Sequence, residues 1–240
     1  MEVGLNGFMG LPNPLPSLIS SKAVALSVDI VNFCLRNSKL HVLLVKRQHQ
    51  PYRDMWAIPG GFLDDGESLE KAAYRLLQEE ASLFDVHIEQ LAVFGDLERD
   101  PRGRVISVTY LGVSPAGGSE PHAGEGVSEV KWCALDAVPP LAFDHAQILQ
   151  TAVRRLRIKL EYTNIAFQFI AEEFTLSELQ GAYEAILGER LDKRNFRRKI
   201  LQADLLEETG RMHGGEGRPA RVFRIKPMRV HETRTRRLFP

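Results

Sequence analysis

The segment from Gly60 to Leu83 carries the residues whose types and spacing point most directly to chemistry. Five residues separate Gly61 from Glu67, and seven separate Glu67 from Arg75. Side chains three and four positions apart share a helix face, so positions 76, 79 and 80 point the same way. Hard cations such as Mg²⁺ prefer oxygen ligands and neutralise a diphosphate while water attacks it. The residues of this segment whose side chains suit this chemistry are the carboxylates Glu67, Glu79 and Glu80.

This segment resembles a Nudix box, the loop–helix motif of enzymes that cut a nucleoside diphosphate linked to another group. Two positions depart from the family pattern: Leu76 replaces a Glu, and Ser82 replaces the final Gly. An aliphatic side chain neither ligates Mg²⁺ nor takes a proton from water, so Leu76 argues against hydrolysis. The resemblance implies the fold, a diphosphate-shaped pocket, and Glu79 and Glu80 as the remaining metal ligands. The alternative is an amphipathic helix with a solvated acidic face.

The composition is that of a globular protein with one large or two modest domains. The chain has 240 residues, of which 44% are hydrophobic and 26% charged. Cys34 and Cys133 lie in apolar, strand-like segments, which favours core thiols in a reducing compartment over a disulfide or metal pair. No apolar run of about 18 residues occurs, so no membrane segment is predicted. Residues 1–21 contain Glu2 and several Gly and Pro, and we expect a flexible arm, not a signal peptide.

Residues 22–162 alternate strand-like segments with helices. Two prolines precede the last helix, and Asp144 is its expected N-cap. Strands around one internal helix predict an α/β (α+β) sandwich with a mixed sheet, in agreement with the Nudix fold. The predicted strands are Ala23–Leu35, Leu40–Arg47, Val86–Leu97, Val105–Val113 and Glu129–Leu135, and the last helix is His145–Tyr162.

Charge is distributed unevenly along the chain. Residues 1–163 have a net charge of −4, whereas residues 164–240 have +4 and residues 188–240 alone have +8. Such an asymmetry indicates that the C-terminal part meets an anionic polymer. Residues 163–173 are predicted to be a linker or docking segment, whose aromatic residues favour burial at an interface.

The C-terminal part resembles a winged helix-turn-helix domain. A helix begins at Thr175 with a capping box to Glu178 and ends at Gly188. A basic helix over about Asp192–Leu206 follows, with Leu206 on its buried side. After it we expect an extended segment over Leu206–Met212, a Gly-rich tip over His213–Pro219 and a strand over Ala220–Ile225. The expected boundaries are 174–227 for this domain and 228–240 for a basic tail.

A helix of this kind fits the DNA major groove with its N-terminal residues nearest the base edges. Arg194 and Asn195 are therefore the candidates for base contacts. The other expected DNA contacts, mostly to phosphates, come from Lys193, Arg197, Arg198, Lys199, Arg218 and Arg221. The alternatives are a solvated basic face and a surface for an acidic protein.

The two parts together resemble the Nudix-related transcriptional regulators of NAD metabolism, the NrtR family. The resemblance covers Ala23 to about Pro227 and includes WAIPGGF, PLAFDH, NFRRKILQADLLEETG and GRPARVFRI. It implies a cytoplasmic homodimer that binds double-stranded operator DNA and represses genes of NAD biosynthesis or salvage. It also implies ADP-ribose or a related nucleotide as effector, and no required cofactor, with Mg²⁺ accompanying the nucleotide at most.

The same resemblance implies a pyrophosphate pocket. Arg75 is expected to orient the helix carboxylates, and His145 is either structural or part of the pocket lining. The implied ligand-binding residues are Arg47, Gly60, Gly61, Glu67, Arg75, Glu79 and Glu80, with Asp144 and His145 at the rim and Arg102 or Arg104 approaching from a turn.

Two other functions stay open at this point. One is a Mg²⁺-dependent ADP-ribose pyrophosphatase with a C-terminal extension, in which Glu67, Glu79 and Glu80 would be catalytic. The other is a nucleotide-sensing module that binds a protein through its basic end. The operator sequence, the target genes and the direction of the ligand's effect on DNA binding also stay open.

Overall fold

A computed structural model of the protein describes residues 24–214 and 219–226. A mixed seven-stranded sheet occupies the first part of this region, and only the pair β1–β6 is parallel. The predicted mixed-sheet sandwich is therefore confirmed. The strands are β1 (Ala25–Arg36), β2 (Lys39–Arg47), β3 (Trp56–Ala57), β4 (Gly60–Phe62), β5 (His87–Phe94), β6 (Val105–Val113) and β7 (Val127–Ala134).

Two helices cover the two faces of this sheet. Helix α1 (Leu69–Ala81) packs against the face that carries Val28 and Ile30, and helix α2 (His145–Tyr162) packs against the face that carries Val31. Because successive strand residues point to opposite faces, a strand covered on both sides must be apolar throughout. This explains why β1 has apolar residues on both faces, Val28 and Ile30 on one and Val31 and Phe33 on the other, instead of a strict alternation.

Both cysteines are free and buried, as predicted. Burial raises the pKa of the Cys34 thiol to about 12 and also raises the pKa of Cys133. Within the described ranges, no helix combines the length and hydropathy that a membrane span needs.

A winged helix domain follows, which confirms the second part of the predicted fold. Its helix α3 (Leu176–Leu187) has the expected capping box between Thr175 and Glu178. It ends at Gly188, whose φ of 79° is in the left-handed region that suits glycine. Its other elements are α4 (Lys193–Gln202) and a three-stranded sheet of β8 (Phe174–Thr175), β9 (Leu206–His213) and β10 (Ala220–Ile225).

The predicted end of the basic helix was wrong. Helix α4 stops at Gln202, and Asp204 has a φ of 54°, which turns the chain out of the helix. The predicted extended segment is observed as β9, which begins at Leu206, where the chain pairs with Ile225. The Gly-rich tip that follows includes residues 215–218, so the predicted contact of Arg218 lies outside the described residues.

Residues 163–173 pack between the two parts of the chain. They contain a short 3-10 helix, Ile165–Phe169, in which Ile165, Ala166 and Phe169 are buried. These side chains belong to one apolar cluster that also contains Leu156 of α2 and Tyr183 of α3. The cluster therefore joins the core under the large sheet to the core of the winged helix.

Candidate functional site

A cleft lies where β1, β2 and β4 approach the loop before α2. Six of the predicted ligand-binding residues line it: Arg47, Gly60, Gly61, Glu80, Arg102 and His145. Residues that the sequence did not single out line it as well, including Asp29, Phe62, Arg99, Asp100 and Phe143. The chain thus brings these residues together at one place from six separate stretches of the sequence.

Two glycines permit a close approach of backbone and side chains at the cleft. A Cβ atom on Gly60 would collide with the side chain of Asp29, and one on Gly61 would lie 2.7 Å from Cδ2 of Leu76. Leu76 is 5% exposed and packs in the apolar cluster under α1. The leucine that departs from the Nudix pattern therefore fills the space beside Gly61.

Three other predicted residues form an ion-pair cluster beside the cleft and do not line it. Arg75 donates to both carboxylate oxygens of Glu67, at 2.5 and 3.1 Å, and to Glu79 at 3.0 Å. It also donates to the carbonyl of Phe62 at 3.2 Å. Arg75 thus holds the carboxylates in place. The interactions of Arg75 raise its own pKa and lower the pKa of Glu67.

Glu80 lies in the cleft and accepts a hydrogen bond from the backbone N–H of Gly60 at 3.0 Å. Burial raises the pKa of this carboxyl to about 8, and the nearby charge of Asp29 acts in the same direction. A carboxyl group in such an environment keeps its proton at neutral pH.

The floor of the cleft is a buried polar network centred on Asp29. Arg99, whose side chain is 4% exposed, donates to Asp29 at 3.3 Å and to both carboxylate oxygens of Asp144, at 2.9 and 2.8 Å. Ser107 also donates to Asp29. Asp144 occupies the N-cap position of α2 as predicted, but its side chain makes no capping hydrogen bond, because it binds Arg99 instead.

His145 is buried beside this network. Its Nδ1 accepts a hydrogen bond from the backbone N–H of Ile58 at 3.1 Å, and its Nε2 lies 3.8 Å from Asp29. Burial lowers the pKa of His145 and favours the neutral ring. An Nδ1 that accepts must be unprotonated, so the neutral ring has its proton on Nε2, toward Asp29.

Two arginines face the cleft around the ring of Phe143. The Cζ atom of Arg47 lies 4.9 Å from the ring centroid, and that of Arg102 lies 5.7 Å from it. Arg102 also lies 4.8 Å from the ring of Phe62 and is held by Asp100 at 2.7 Å. Burial and the charge of Arg102 lower the pKa of Arg47. This part of the cleft is suited to an anion.

Arg104 does not line the cleft, because it donates to the carbonyl of Gly95.

Two of the residues that were not predicted from the sequence, Asp29 and Arg99, could have been found from signals in it. Asp29 is an acidic residue inside a largely apolar strand, and such a residue needs a buried partner. Arg99 stands in the same charged turn as Arg102.

The predicted DNA-contact residues in the described part of the chain are grouped on the winged helix. Asp192 caps α4 by accepting from the N–H of Asn195 at 2.7 Å. Lys193, Arg194 and Arg197 line one open groove with Asp192, and a second groove continues from Lys193 and Arg197 to Arg221. These grooves form a basic surface at the N-terminal end of α4.

Several of these side chains also have partners within the protein. Arg198 donates to Oδ1 of Asn195 at 2.9 Å, and Arg221 pairs with Glu208 at 3.2 Å. Arg197 donates to Ser177 at 3.5 Å, while Lys199 is partly buried. Asn195 is therefore engaged with Arg198, which leaves Arg194 as the more accessible of the two predicted base-contact residues.

Comparisons with known proteins match both halves of the chain. The NUDIX domain model matches residues 26–155, and the model of the NrtR DNA-binding winged helix domain matches residues 166–225. The "ADPR responsive transcriptional repressor NtrR" of Acinetobacter baylyi is 34% identical over 204 residues, which are 83% of this chain and 81% of that protein. The ADP-ribose pyrophosphatase of Methanocaldococcus jannaschii is 38% identical over 113 residues, which are 47% of this chain and 66% of that protein.

Solved structures of Shewanella oneidensis NrtR are also similar. One has a TM-score of 0.76 at 37% identity and covers 89% of this chain and 99% of that chain. Its complex with a 27mer DNA has a TM-score of 0.75 at 36% identity, covering 88% and 98% of the two chains. The NUDIX domain of that protein complexed with ADP ribose has a TM-score of 0.52 at 38% identity, covering 56% and 90%.

Proposed function

The chain belongs to the NrtR family, and from this membership we propose that it is an ADP-ribose-responsive, DNA-binding transcriptional repressor of NAD metabolism genes. It acts in the cytoplasm as a homodimer on double-stranded operator DNA. One observation carries the proposal. A single chain combines a Nudix cleft, in which Leu76 replaces a carboxylate of the family pattern, with a winged helix that has a basic surface. Such a cleft is suited to binding a nucleotide without hydrolysing it, and the basic surface is suited to binding DNA phosphates.

The position of α2 supports a route from ligand to DNA. The helix begins in the cleft at His145 and has 18 residues, so it is about 27 Å long at 1.5 Å per residue. Near its other end, Nε of Arg157 donates to the carbonyl of Ile186 at 3.1 Å. Ile186 lies just before Gly188, where the turn toward α4 begins. A displacement of α2 would therefore change the pose of α4.

A ligand changes DNA binding only by its different affinities for the states that do and do not bind DNA. In a homodimer, a change in the pose of two α4 helices alters the half-site spacing that they match. Allosteric couplings of about 1–3 kcal/mol correspond to changes of roughly 5–150-fold in operator affinity.

The test uses the full chain and DNA from upstream of NAD biosynthesis genes of its source organism, at fixed salt, with and without ADP-ribose. We expect a specific complex whose affinity ADP-ribose changes and whose formation weakens steeply as salt rises. Arg194→Ala should reduce discrimination between operator and unrelated DNA, whereas Arg155→Ala, an exposed change on α2, serves as the control. Absence of specific binding even at low salt would refute the proposal.

The similarity to an ADP-ribose pyrophosphatase favours hydrolysis as the second candidate function. Glu67, Glu79 and Glu80 are present in this chain. Because Leu76 occupies the position of the fourth carboxylate, we expect no release of AMP from ADP-ribose when Mg²⁺ is added. Release of AMP that Glu80→Gln abolishes, together with no specific DNA complex, would establish the hydrolase instead.

A further inference from the structure

We infer that the cleft binds the diphosphate of its nucleotide directly on the guanidinium groups of Arg47 and Arg102, with no divalent cation between protein and ligand. The inference rests on the proposed function, because it assigns the main contact of the same ligand. It also goes further, since it makes the sensor independent of Mg²⁺, which the Nudix fold would otherwise imply.

The residues around the Nudix helix do not fit a Mg²⁺ site. Position 76, on the face that would carry the metal, holds a leucine that is 5% exposed and packed in an apolar cluster. Cδ2 of Leu76 would lie 2.7 Å from a Cβ atom on Gly61, so even a methyl group at position 61 would collide with it. A metal ion at this point would meet hydrocarbon in place of an oxygen ligand.

The remaining carboxylates are directed to other partners. Glu67 accepts from Arg75 and from the backbone N–H of Asp64 at 2.8 Å, and Glu79 accepts from Arg75 at 3.0 Å. Glu80 accepts from the backbone N–H of Gly60 at 3.0 Å. Across residues 24–214 and 219–226, no three His, Cys, Asp or Glu side chains are grouped so as to hold a metal ion.

The guanidinium groups of Arg47 and Arg102 supply positive charge in the cleft, which Mg²⁺ would otherwise supply to neutralise a diphosphate. Arg47 uses Nε to donate to the carbonyl of Pro51 at 2.9 Å, and Arg102 uses Nε and Nη2 to bind Asp100. Asp29, on the floor of the cleft, is already paired with Arg99. Arg47 and Arg102 are both held against Phe143, so two like charges share one small site.

An anion relieves the repulsion between these two guanidinium groups. Guanidinium groups bind phosphate oxygens through planar, paired N–H donors and keep their charge at any ordinary pH. Bringing two of them to one anion supplies the neutralisation that Mg²⁺ supplies in a hydrolase, but it generates no metal-bound water. The same arrangement therefore explains binding of a diphosphate and the lack of turnover expected from Leu76.

The test is calorimetric titration of the full chain with ADP-ribose, once in excess EDTA and once in excess Mg²⁺. We expect dissociation constants within about twofold of each other, since no cation bridges protein and ligand. Binding that EDTA abolishes and Mg²⁺ restores would overturn this inference and leave the proposed function intact. Absence of ADP-ribose binding under both conditions would overturn both.

Single substitutions test whether Arg47 and Arg102 bind the ligand and Arg104, on the same turn as Arg102, does not. Arg47→Gln and Arg102→Gln should each weaken ADP-ribose binding by about tenfold or more, the effect of losing a charge-assisted hydrogen bond. Arg104→Gln is the matched control, because Arg104 is on the same turn as Arg102 but donates to Gly95 outside the cleft. Its binding should be unchanged. Equal losses in the Arg102 and Arg104 variants, with both folded by circular dichroism, would also overturn the inference.

Discussion

The guanidinium of Arg99 donates to both carboxylate oxygens of Asp144, at 2.9 and 2.8 Å, at a site where only 4% of the arginine side chain is exposed. Asp144 immediately precedes α2, and a further bond from Arg99 reaches Asp29 in β1. One buried cation thus connects the turn after β5, the central sheet and the start of the helix that extends to the winged helix. The side chains of its two carboxylate partners are also largely buried, since Asp29 is 8% and Asp144 is 12% exposed.

Removal of this cation should destabilise the fold strongly. Arg99→Met leaves the carboxylates of Asp29 and Asp144 buried without their partner, and breaking a buried pair in this way costs about 3–5 kcal/mol. The measurement is the free energy of unfolding in urea. Arg53→Met is the control, because Arg53 is 65% exposed and its loss should change stability by less than about 0.5 kcal/mol. Equal stabilities of the two variants would contradict this assignment.

The elements of the fold that sequence patterns predicted well depend on local signals. Helix α2 occupies the predicted residues because its start and its apolar spacing are both encoded locally. The capping box of Thr175 and Glu178 is likewise a short-range pattern. The end of α4 was predicted less well, because Ala203 and Leu206 continue the helical spacing of apolar residues beyond Gln202, where the helix stops.

The cleft was predicted less completely, and distance in sequence explains why. Motif matching pointed to Gly60, Gly61 and Glu80, which lie within one segment. Arg99 and Asp29 are separated by 70 positions and meet only because the sheet folds. Conversely, Glu67 and Glu79 belong to the motif but are held beside the cleft by Arg75. A motif identifies residue types, whereas the fold decides which of them face the ligand.

Ser82 offers a stabilising substitution. It ends α1 with a φ of 54° and a ψ of 34°, a left-handed conformation at the position where the Nudix pattern has glycine. That conformation costs a residue with a Cβ atom about 1 kcal/mol or more, and glycine avoids the cost. Ser82→Gly should therefore raise the free energy of unfolding by up to about 1 kcal/mol.

The same helix supplies the control for this prediction. Ser68 caps its other end with an extended conformation, and its hydroxyl accepts from the N–H of Lys71. Ser68→Gly should lower stability by a few tenths of a kcal/mol, because it removes that cap. If Ser82→Gly proves no more stable than the unmodified chain in urea unfolding, the left-handed strain is not significant.

The raised pKa of Glu80 predicts a dependence of stability on pH. The carboxyl keeps its proton up to about pH 8 in the folded state, whereas its ordinary pKa is 4.5. Between these values the folded state binds more protons than the unfolded state, so this group makes stability fall as pH rises. Glu80→Gln cannot ionise, and Gln still accepts from Gly60, so the fall should be shallower in the variant. Unfolding free energies measured across this pH window provide the test.

Glu67→Gln is the matched control, because its pKa is shifted in the opposite direction. Hydrogen bonds from Arg75 lower the pKa of Glu67. Its stabilising contribution is therefore fully present above pH 4.5 and is lost only as the pH falls below it. The Gln variant should be less stable than the unmodified chain by a constant amount across the neutral range. An unchanged slope in the Glu80 variant would show that Glu80 ionises normally.

Arg157 provides a test of whether α2 transmits the ligand signal. Its Nε donates to the carbonyl of Ile186, and its Nη2 lies 3.3 Å from where a Cβ on Gly188 would stand. It is thus a side chain of α2 that touches the turn leading to α4. Arg157→Ala breaks this contact at a distance from both the cleft and the basic surface of the winged helix, so neither binding site loses a residue of its own.

The expected result is a loss of coupling with both affinities preserved. Calorimetry should give the same dissociation constant for ADP-ribose as in the unmodified chain, and anisotropy should give similar operator affinity without ligand. ADP-ribose should therefore leave the operator affinity of this variant almost unchanged, because coupling requires a contact that differs between the two states. Arg155→Ala, an exposed change two positions away on the same helix, should keep the full response. A full response in the Arg157 variant would mean that the signal reaches α4 through the apolar cluster alone.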